Sequence, residues 1–468
     1  MEYTNEMIKE LVIKQRAFFN TNQTHDVKFR IEALKKLKAS VIKNEEKIME
    51  ALKRDLGRSE CEAYFCDIGT VIMEINEALH DIKKWNRPKR LFSGLMCFPS
   101  QKTLVYRKPY GVVLIISPFN FPFILSLGVL VASISSGNTS IIKTSSKSKE
   151  SSRVLNEIIT EAFGEEYVKV INGGHDVADM LLGERFDKIF YTGSPKVACH
   201  VMEMASKNLT PVALELGGEN GNWAIVRSDS DLKDAARKIA FFKACNSGQI
   251  CININQVAVN KKVVKEFIEL LKQEFIRQLG DDIVNNDEYS VLINDGAFSK
   301  CERTVTEYKE KVVFGGVGNK DTRRFFPTIL YPIDINDEIV QSELFSPILP
   351  IVEYDDSEEE GLLKVINERE RPLAFYVFTK DRKWAKRVME VMNFGGGCIN
   401  EVCLHFMVKG APFNGVGHSG MGAYHGVWGF NEFTYPKTVL FGKTKGNLKL
   451  REHPYNKKKL NLIKKFEK

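Results

Sequence analysis

The nine cysteines and eight histidines contain no C-x-x-C pair and no H-E-x-x-H stretch, so no spacing supports a zinc site and no metal is expected. The cysteines are odd in number and scattered at 61, 66, 97, 199, 245, 251, 301, 398 and 403, unlike the framework of a secreted disulfide scaffold. Most should be reduced and buried. A basic start followed by an apolar run is also missing. Met1-Glu2-Tyr3-Thr4 opens acidic and leads into an amphipathic pattern, which argues against a signal peptide and makes the cytoplasm the default location. One region, Val112 to Ile134, is apolar enough to suggest a membrane crossing, but Ser117, Pro118, Asn120, Pro122 and Ser126 interrupt it. A buried strand, turn and helix are expected there, with no integral membrane span. Internal repeats, Pro/Ser-rich linkers and long low-complexity stretches are absent, so most of the chain should fold.

At 468 residues the chain exceeds the roughly 250–300 at which one hydrophobic core stops growing, so two or more domains are expected. The formal net charge of +7 owes much to the stretch from Lys445 to Lys468, which raises nucleic acid or acidic lipid as a partner. No aromatic-rich nucleic-acid motif and no long apolar run accompany that charge, so a solvated tail and no nucleic-acid partner are expected.

From Val27 to Leu52 the apolar residues Ile31, Leu34, Leu37, Val41, Ile48 and Leu52 recur at mostly three- to four-residue steps, which predicts one helix with a buried face. Short apolar runs follow, separated by helical patterns: Gly111 to Ile116, Thr139 to Ile142, Tyr167 to Ile171, Lys188 to Tyr191 and Pro211 to Leu214. They read as buried strands of a mainly parallel α/β sheet, which binds ligands beyond the carboxyl ends of its strands. A second α/β stretch runs from near Asp231 to about Gly417, with strand-like segments Gln256 to Val259, Leu349 to Tyr354 and Phe375 to Thr379.

Three segments carry chemistry. In Asn246-Ser247-Gly248-Gln249-Ile250-Cys251 a glycine turn precedes a cysteine, and a thiolate held near backbone N–H groups is stabilised and nucleophilic. Taken alone, that cysteine is more often a small buried apolar residue. Glu215 closes a buried strand before Leu216-Gly217-Gly218; burial raises a carboxylate's pKa toward that of a general base, although a helix-capping role is open to it. In Pro118-Phe119-Asn120-Phe121-Pro122 an amide stands between two prolines. Asn120 is placed either to form an Asx turn or to donate to an oxyanion, an interaction that contributes about 2.7–4 kcal/mol in the transition state. Cys245 reads as a buried structural thiol rather than a redox partner of Cys251.

Together with Gly137-Asn138-Thr139 and Lys143, Tyr191-Thr192-Gly193-Ser194, and Glu343-Leu344-Phe345-Ser346-Pro347, these segments resemble in order the aldehyde dehydrogenase superfamily. Pro412 to Gly426, with Pro454-Tyr455 and Lys459-Leu460, looks like its class 3 branch. The resemblance spans nearly the whole chain. It implies a Rossmann-type cofactor domain over 1–214, with a bridging strand at about 103–108, an α/β catalytic domain over 215–417, a bridging and oligomerisation segment over 418–445 and a basic tail over 446–468. The bridging sheet should join Thr103 to Lys108 with residues near Thr438 to Phe441, and a homodimer is implied.

The same resemblance makes Cys251 the nucleophile, Asn120 and the Cys251 N–H the oxyanion site, and Glu215 the base for the deacylating water. It makes NAD or NADP the cofactor, with Lys143 at the adenosine ribose, Gly193 and Ser194 at the pyrophosphate, and Glu343 and Phe345 at the nicotinamide end. The expected reaction is oxidation of an aldehyde to its acid through a thioester. Ser146 stands where many relatives carry a ribose-binding carboxylate. With Lys143, Lys147 and Lys149 nearby, its neutrality should admit a 2′-phosphate. Ala198, Ser346 and Asn414 replace family glycines, and Gly217 to Asn222 lacks the usual Lys-Ser-Pro, so local loop shapes there are open. Tyr424 and His425 receive no catalytic role. Phe119, Phe121, Phe123 and Phe406 suggest an apolar entrance for medium-chain aliphatic or aromatic aldehydes, or else belong to the core. Two other readings compete: a CoA-acylating enzyme, which Glu215 argues against, and a dinucleotide-binding protein without turnover, which Cys251, Glu215 and Asn120 together argue against.

Overall fold

The computed structural model describes residues 3–94, 97, 99–100, 102–446 and 448–466; Met1 and Glu2 of the opening, and Asn447, Glu467 and Lys468 of the basic tail, lie outside the described residues. Two large sheets organise the chain. The first runs Gly420–Met421, Val212–Leu216, Lys188–Gly193, Val112–Ile116, Thr139–Ser145, Val168–Gly173, parallel throughout except at the Gly420–Met421 edge. Strand order reverses beside Val112–Ile116, whose neighbours are the later strands Thr139–Ser145 and Lys188–Gly193. A crevice opens at the carboxyl ends of strands at such a reversal.

Alternation within Val112–Ile116 shows why both faces are covered. Val113 and Ile115 join a core with Leu34, Leu37, Ile48 and Leu130, whereas Val112, Leu114 and Ile116 join another with Ile8, Val12 and Val201. The period of two sends successive side chains to opposite faces, and each face is sealed by helices.

The second sheet runs Val312–Phe314, Thr328–Ile333, Ile348–Tyr354, Gln256–Asn260, Trp223–Val226, Ala374–Phe378, Gly396–Ile399, antiparallel only at its first pair. A third, small sheet pairs Lys102–Pro109 with Thr434–Phe441 along their whole length and with Lys89–Leu91 on the other side. Its two long strands extend past the expected Thr103 to Lys108 and Thr438 to Phe441.

The helix expected over Val27 to Leu52 is two helices, Val27–Lys43 and Glu45–Leu56. Asn44 separates them, its buried amide donating to the Ser40 carbonyl at 2.9 Å and to Glu161 at 3.1 Å. A short polar side chain that bonds backbone in this way competes with helix continuation. Val112 to Ile134 forms a buried strand, a loop, a single π-turn at Ile124–Gly128 and the start of the helix Val129–Ser136. Among the described residues no helix is long and apolar enough to cross a membrane.

Candidate active site

The crevice at the strand reversal continues into a cleft of about 490 Å³ lined by Asn120, Lys143, Ser146, Gly193, Ser194, Glu215, Cys251, Glu343 and Phe345. All nine residues singled out in the sequence therefore share one space. Lys143 and Ser146 arrive from the carboxyl end of Thr139–Ser145, and Gly193 and Ser194 from that of Lys188–Gly193. Glu215 sits near the end of Val212–Leu216 beside Thr192, so its altered downstream segment has not removed it from the cleft.

Cys251 follows a loop in which Asn246 and Ser247 adopt φ near +50°. Backbone of this kind costs about 1–3 kcal/mol per residue and persists only where surroundings enforce it. Enforcement is visible: Asn246 donates from Nδ2 to the Asn120 carbonyl at 3.1 Å and to the Gln249 carbonyl at 3.0 Å. Gly248 has φ +74°, and a Cβ there would meet the Ser346 carbonyl oxygen at 2.2 Å, so only glycine fits. Asn222 donates to the Cys251 carbonyl at 2.7 Å and accepts from the Ala374 N–H at 2.7 Å, fixing the Cys251 loop to the second sheet.

Burial pushes the Cys251 thiol up to about 12, and the nearby charges of Glu343 and Glu215 push the same way, while the N–H groups of Cys251 and Ile252 oppose them. The resting sulfur is a thiol beside two potential proton acceptors. Burial likewise raises Glu343 to about 8, against the pull of Lys300 and Lys243, and raises Glu215 well above the carboxylate range, with Glu432 adding repulsion. Asn120 is buried and donates from Nδ2 to the Gln249 carbonyl at 3.1 Å. That bond draws on one of its two hydrogens.

Several functional-looking residues escaped sequence reasoning. Arg58, fully buried, bonds the Asp67 carboxylate and the Asn120 carbonyl and reaches Asn246 Oδ1 at 3.1 Å. Asp67 in turn accepts the Phe123 and Ile124 N–H groups at 3.1 and 2.8 Å. The pair clamps the Asn120 loop to the loop before Cys251. Lys243 donates to the Ile254 carbonyl at 2.9 Å, and burial pushes its amine down to about 7. Its one sequence signal is its place on the buried stripe Ala236, Ile239, Ala240 of the helix Leu232–Ala244. Cys245 lies just past that helix, in a 3₁₀ turn, with its sulfur 3.7 Å from that of Cys66.

On the other side of Cys251 lies an apolar cavity of about 80 Å³, whose lining includes Phe65, Phe121, Ile124, Leu125, Phe242 and Phe406. Phe121 and Phe406 thus form part of an apolar chamber, Phe119 packs edge-on to Phe345 in the cleft, and Phe123 is core. Cys251 borders both spaces.

A family profile described as "Aldehyde dehydrogenase family" matches residues 1–439. The chain belongs to the aldehyde dehydrogenase family. It is 37% identical to the 4,4'-diaponeurosporen-aldehyde dehydrogenase of Staphylococcus aureus over 98% of this chain and 99% of that one. Mouse aldehyde dehydrogenase family 3 member A2 is 35% identical over 97% of this chain and 93% of its own length, in keeping with the class 3 branch. A solved structure described as the substrate-bound state of Staphylococcus aureus AldH superposes with a TM-score of 0.95 at 36% identity, covering 100% of both chains. The protein is accordingly an NAD(P)-dependent aldehyde dehydrogenase of that α/β fold.

The residues present fit a nicotinamide dinucleotide. Buried Thr192 Oγ1, Glu215 Oε2 and Glu343 Oε1 have no hydrogen-bond partner among the described residues. The helix Pro195–Ser206 opens at the cleft with no side chain capping its first N–H groups, an arrangement suited to a pyrophosphate. Gly217 leaves room for Glu343, whose carboxylate an added Cβ would meet at 2.4 Å.

Proposed function

We propose that this aldehyde dehydrogenase oxidises apolar aldehydes, medium-chain aliphatic or aromatic, to carboxylic acids on Cys251. The observation that carries the reading is the position of Cys251 between an apolar chamber and the cleft that gathers Lys143, Ser194, Glu215 and Glu343. An aldehyde whose tail fills the chamber presents its carbonyl at the sulfur.

In this reading Glu343 or Glu215, in its ionised form, takes the thiol proton as the sulfur attacks; burial holds both carboxyls protonated to higher pH, so this step quickens as pH rises. The oxygen of the resulting thiohemiacetal is held by the Asn120 amide and the Cys251 N–H. Lys143, Ser146, Gly193, Ser194, Glu343 and Phe345 would hold the dinucleotide, which would supply the hydride acceptor. Glu215 then removes a proton from the water that cleaves the Cys251 thioester, returning the thiol and releasing acid. A carboxylate at this point favours water over CoA as acyl acceptor.

Ser146 supports acceptance of NADP: it puts no negative charge at its place in the cleft, and Lys147 lies alongside with its Nζ 5.4 Å from the Phe119 ring centre. The open edge of Thr434–Phe441 supports a homodimer.

The test is reduced-cofactor absorbance with hexanal or benzaldehyde, with NAD⁺ and NADP⁺ in turn, in the native protein and Cys251→Ala without CoA. Turnover in the native protein and none in the variant is expected. Turnover only on adding CoA would replace water as the acceptor, and strict NAD⁺ dependence would remove the argument from Ser146.

A further inference from the structure

The apolar chamber is lined by four of the chain's cysteines, Cys66, Cys245, Cys251 and Cys403. Two of them are in contact: the Cys66 and Cys245 sulfurs stand 3.7 Å apart, both free thiols. Cys66 is partly exposed and belongs to a one-turn π-helix, Tyr64–Ile68, a deformation concentrated at functional sites. Cys245 is buried, with its thiol 3.7 Å from Glu62 Oε1, to which it donates. The neighbouring Cys66, burial and the charge of Glu62 raise the Cys245 thiol well above its ordinary value, with the buried Arg58 cation opposing them. Neither the Cys66 nor the Cys245 sulfur is used in aldehyde oxidation.

We propose that Cys66 and Cys245 are an oxidisable dithiol that closes to a disulfide with hydrogen peroxide and thereby constricts the apolar chamber beside Cys251. Cys66, facing the chamber, is the sulfur that peroxide reaches. Its thiolate attacks one peroxide oxygen, the O–O bond breaks, and the departing hydroxide takes up the thiol proton as water, leaving a sulfenic acid. The Cys245 sulfur then attacks that of Cys66. The S–S bond forms, the S–O bond breaks, and the hydroxide leaves as a second water with the Cys245 proton relayed through Glu62. The two sulfurs lose two electrons in all, and the peroxide gains them.

Closure from 3.7 Å to the roughly 2.05 Å of a disulfide draws Cys245 toward Cys66. Cys245 directly precedes Asn246 and Ser247, the left-handed pair that sets the position of the Cys251 loop. The movement therefore narrows the chamber and shifts the nucleophile together. Formation of the bond is independent of the substrate reading; its effect on turnover rests on that reading.

The experiment treats the full chain with hydrogen peroxide, blocks residual thiols and maps linked peptides by mass spectrometry. Cys251→Ala should lose two hydrogens and yield a Cys66–Cys245 linked peptide, which Cys66→Ser should not. Absence of that link, or a link from Cys66 or Cys245 to another cysteine, overturns the proposal. A second measurement follows turnover of hexanal before and after peroxide, each protein referred to its own untreated rate. The native enzyme should lose several-fold more activity than Cys245→Ser and regain the difference with dithiothreitol. Equal losses, with the link present, would overturn the constriction and leave the chamber without its role in binding the aldehyde tail.

Discussion

At the residue scale the site is governed by burial of carboxyl groups that a solvated protein would keep ionised. In the proposed mechanism Glu215 acts as a base only when deprotonated, and burial with the charge of Glu432 holds its proton to higher pH. Steady-state turnover should therefore rise with pH beyond the ordinary carboxylate range. Glu215→Gln should keep a first-turnover burst of reduced cofactor yet lose roughly 10²- to 10⁴-fold in steady-state rate, the usual reach of a general base. Loss of the burst as well would place Glu215 in acylation. Glu343 makes a different prediction, about stability. Its carboxyl is raised from 4.5 to about 8, so the folded protein holds a proton that the unfolded chain releases. Its contribution is complete below pH 4.5 and is lost as pH rises through about 8. Glu343→Gln cannot ionise, so its melting temperature relative to the parent should climb over that window and then level off. A difference that stays flat with pH would mean Glu343 ionises freely. Glu215 was legible because it closes a buried strand before two glycines, whereas Glu343 was reached only through the family resemblance. Lys243 was not legible, since a lysine in a helical pattern reads as exposed unless the stripe it shares with Ala236, Ile239 and Ala240 is given weight.

At the scale of elements, the site depends on two loops held together by a buried ion pair invisible in sequence. Arg58 and Asp67 are nine positions apart, Arg58 before a short helix and Asp67 within the π-turn that follows it, and their function lies in the partners they collect from Asn120, Phe123, Ile124 and Asn246. Replacing Arg58 with methionine strands the Asp67 carboxylate in a dry interior, a change that costs about 3–5 kcal/mol. The loss should appear in denaturant unfolding. Asp67→Asn with Arg58→Met should recover part of it, because the neutral amide needs no counter-charge. Recovery of fold without recovery of activity would assign the clamp to positioning of Asn120. Elements themselves were readable where one physical signal dominated. The parallel strands showed as apolar runs because both their faces are covered. The break at Asn44 was hidden because apolar spacing continues across it, and only the side-chain bonds to Ser40 and Glu161 reveal the stop.

At the scale of the whole molecule, each sheet ends in open edge strands, and two of them stand out. Thr434–Phe441 pairs only with Lys102–Pro109, and Gly396–Ile399 pairs only with Ala374–Phe378 among the described residues. Open edges present unpaired N–H and C=O groups and are hazards unless something covers them. A second copy of the chain meets that need if the eight-residue edge of one subunit pairs with an edge of the other. Successive N–H groups along a strand point to opposite edges. Of Thr438→Pro and Val439→Pro, one therefore removes a donor from the open edge and the other disrupts the ladder to Lys102–Pro109, where Thr438 faces Val105 and Val439 faces Leu104. Sedimentation should show a dimer for the native chain and a folded monomer for whichever variant strikes the open edge. The other variant should melt earlier while keeping its partner. Two dimeric variants would mean that the subunits meet elsewhere and that the open strand is protected by its own exposed lysine and prolyl residues, Lys437 and Pro436.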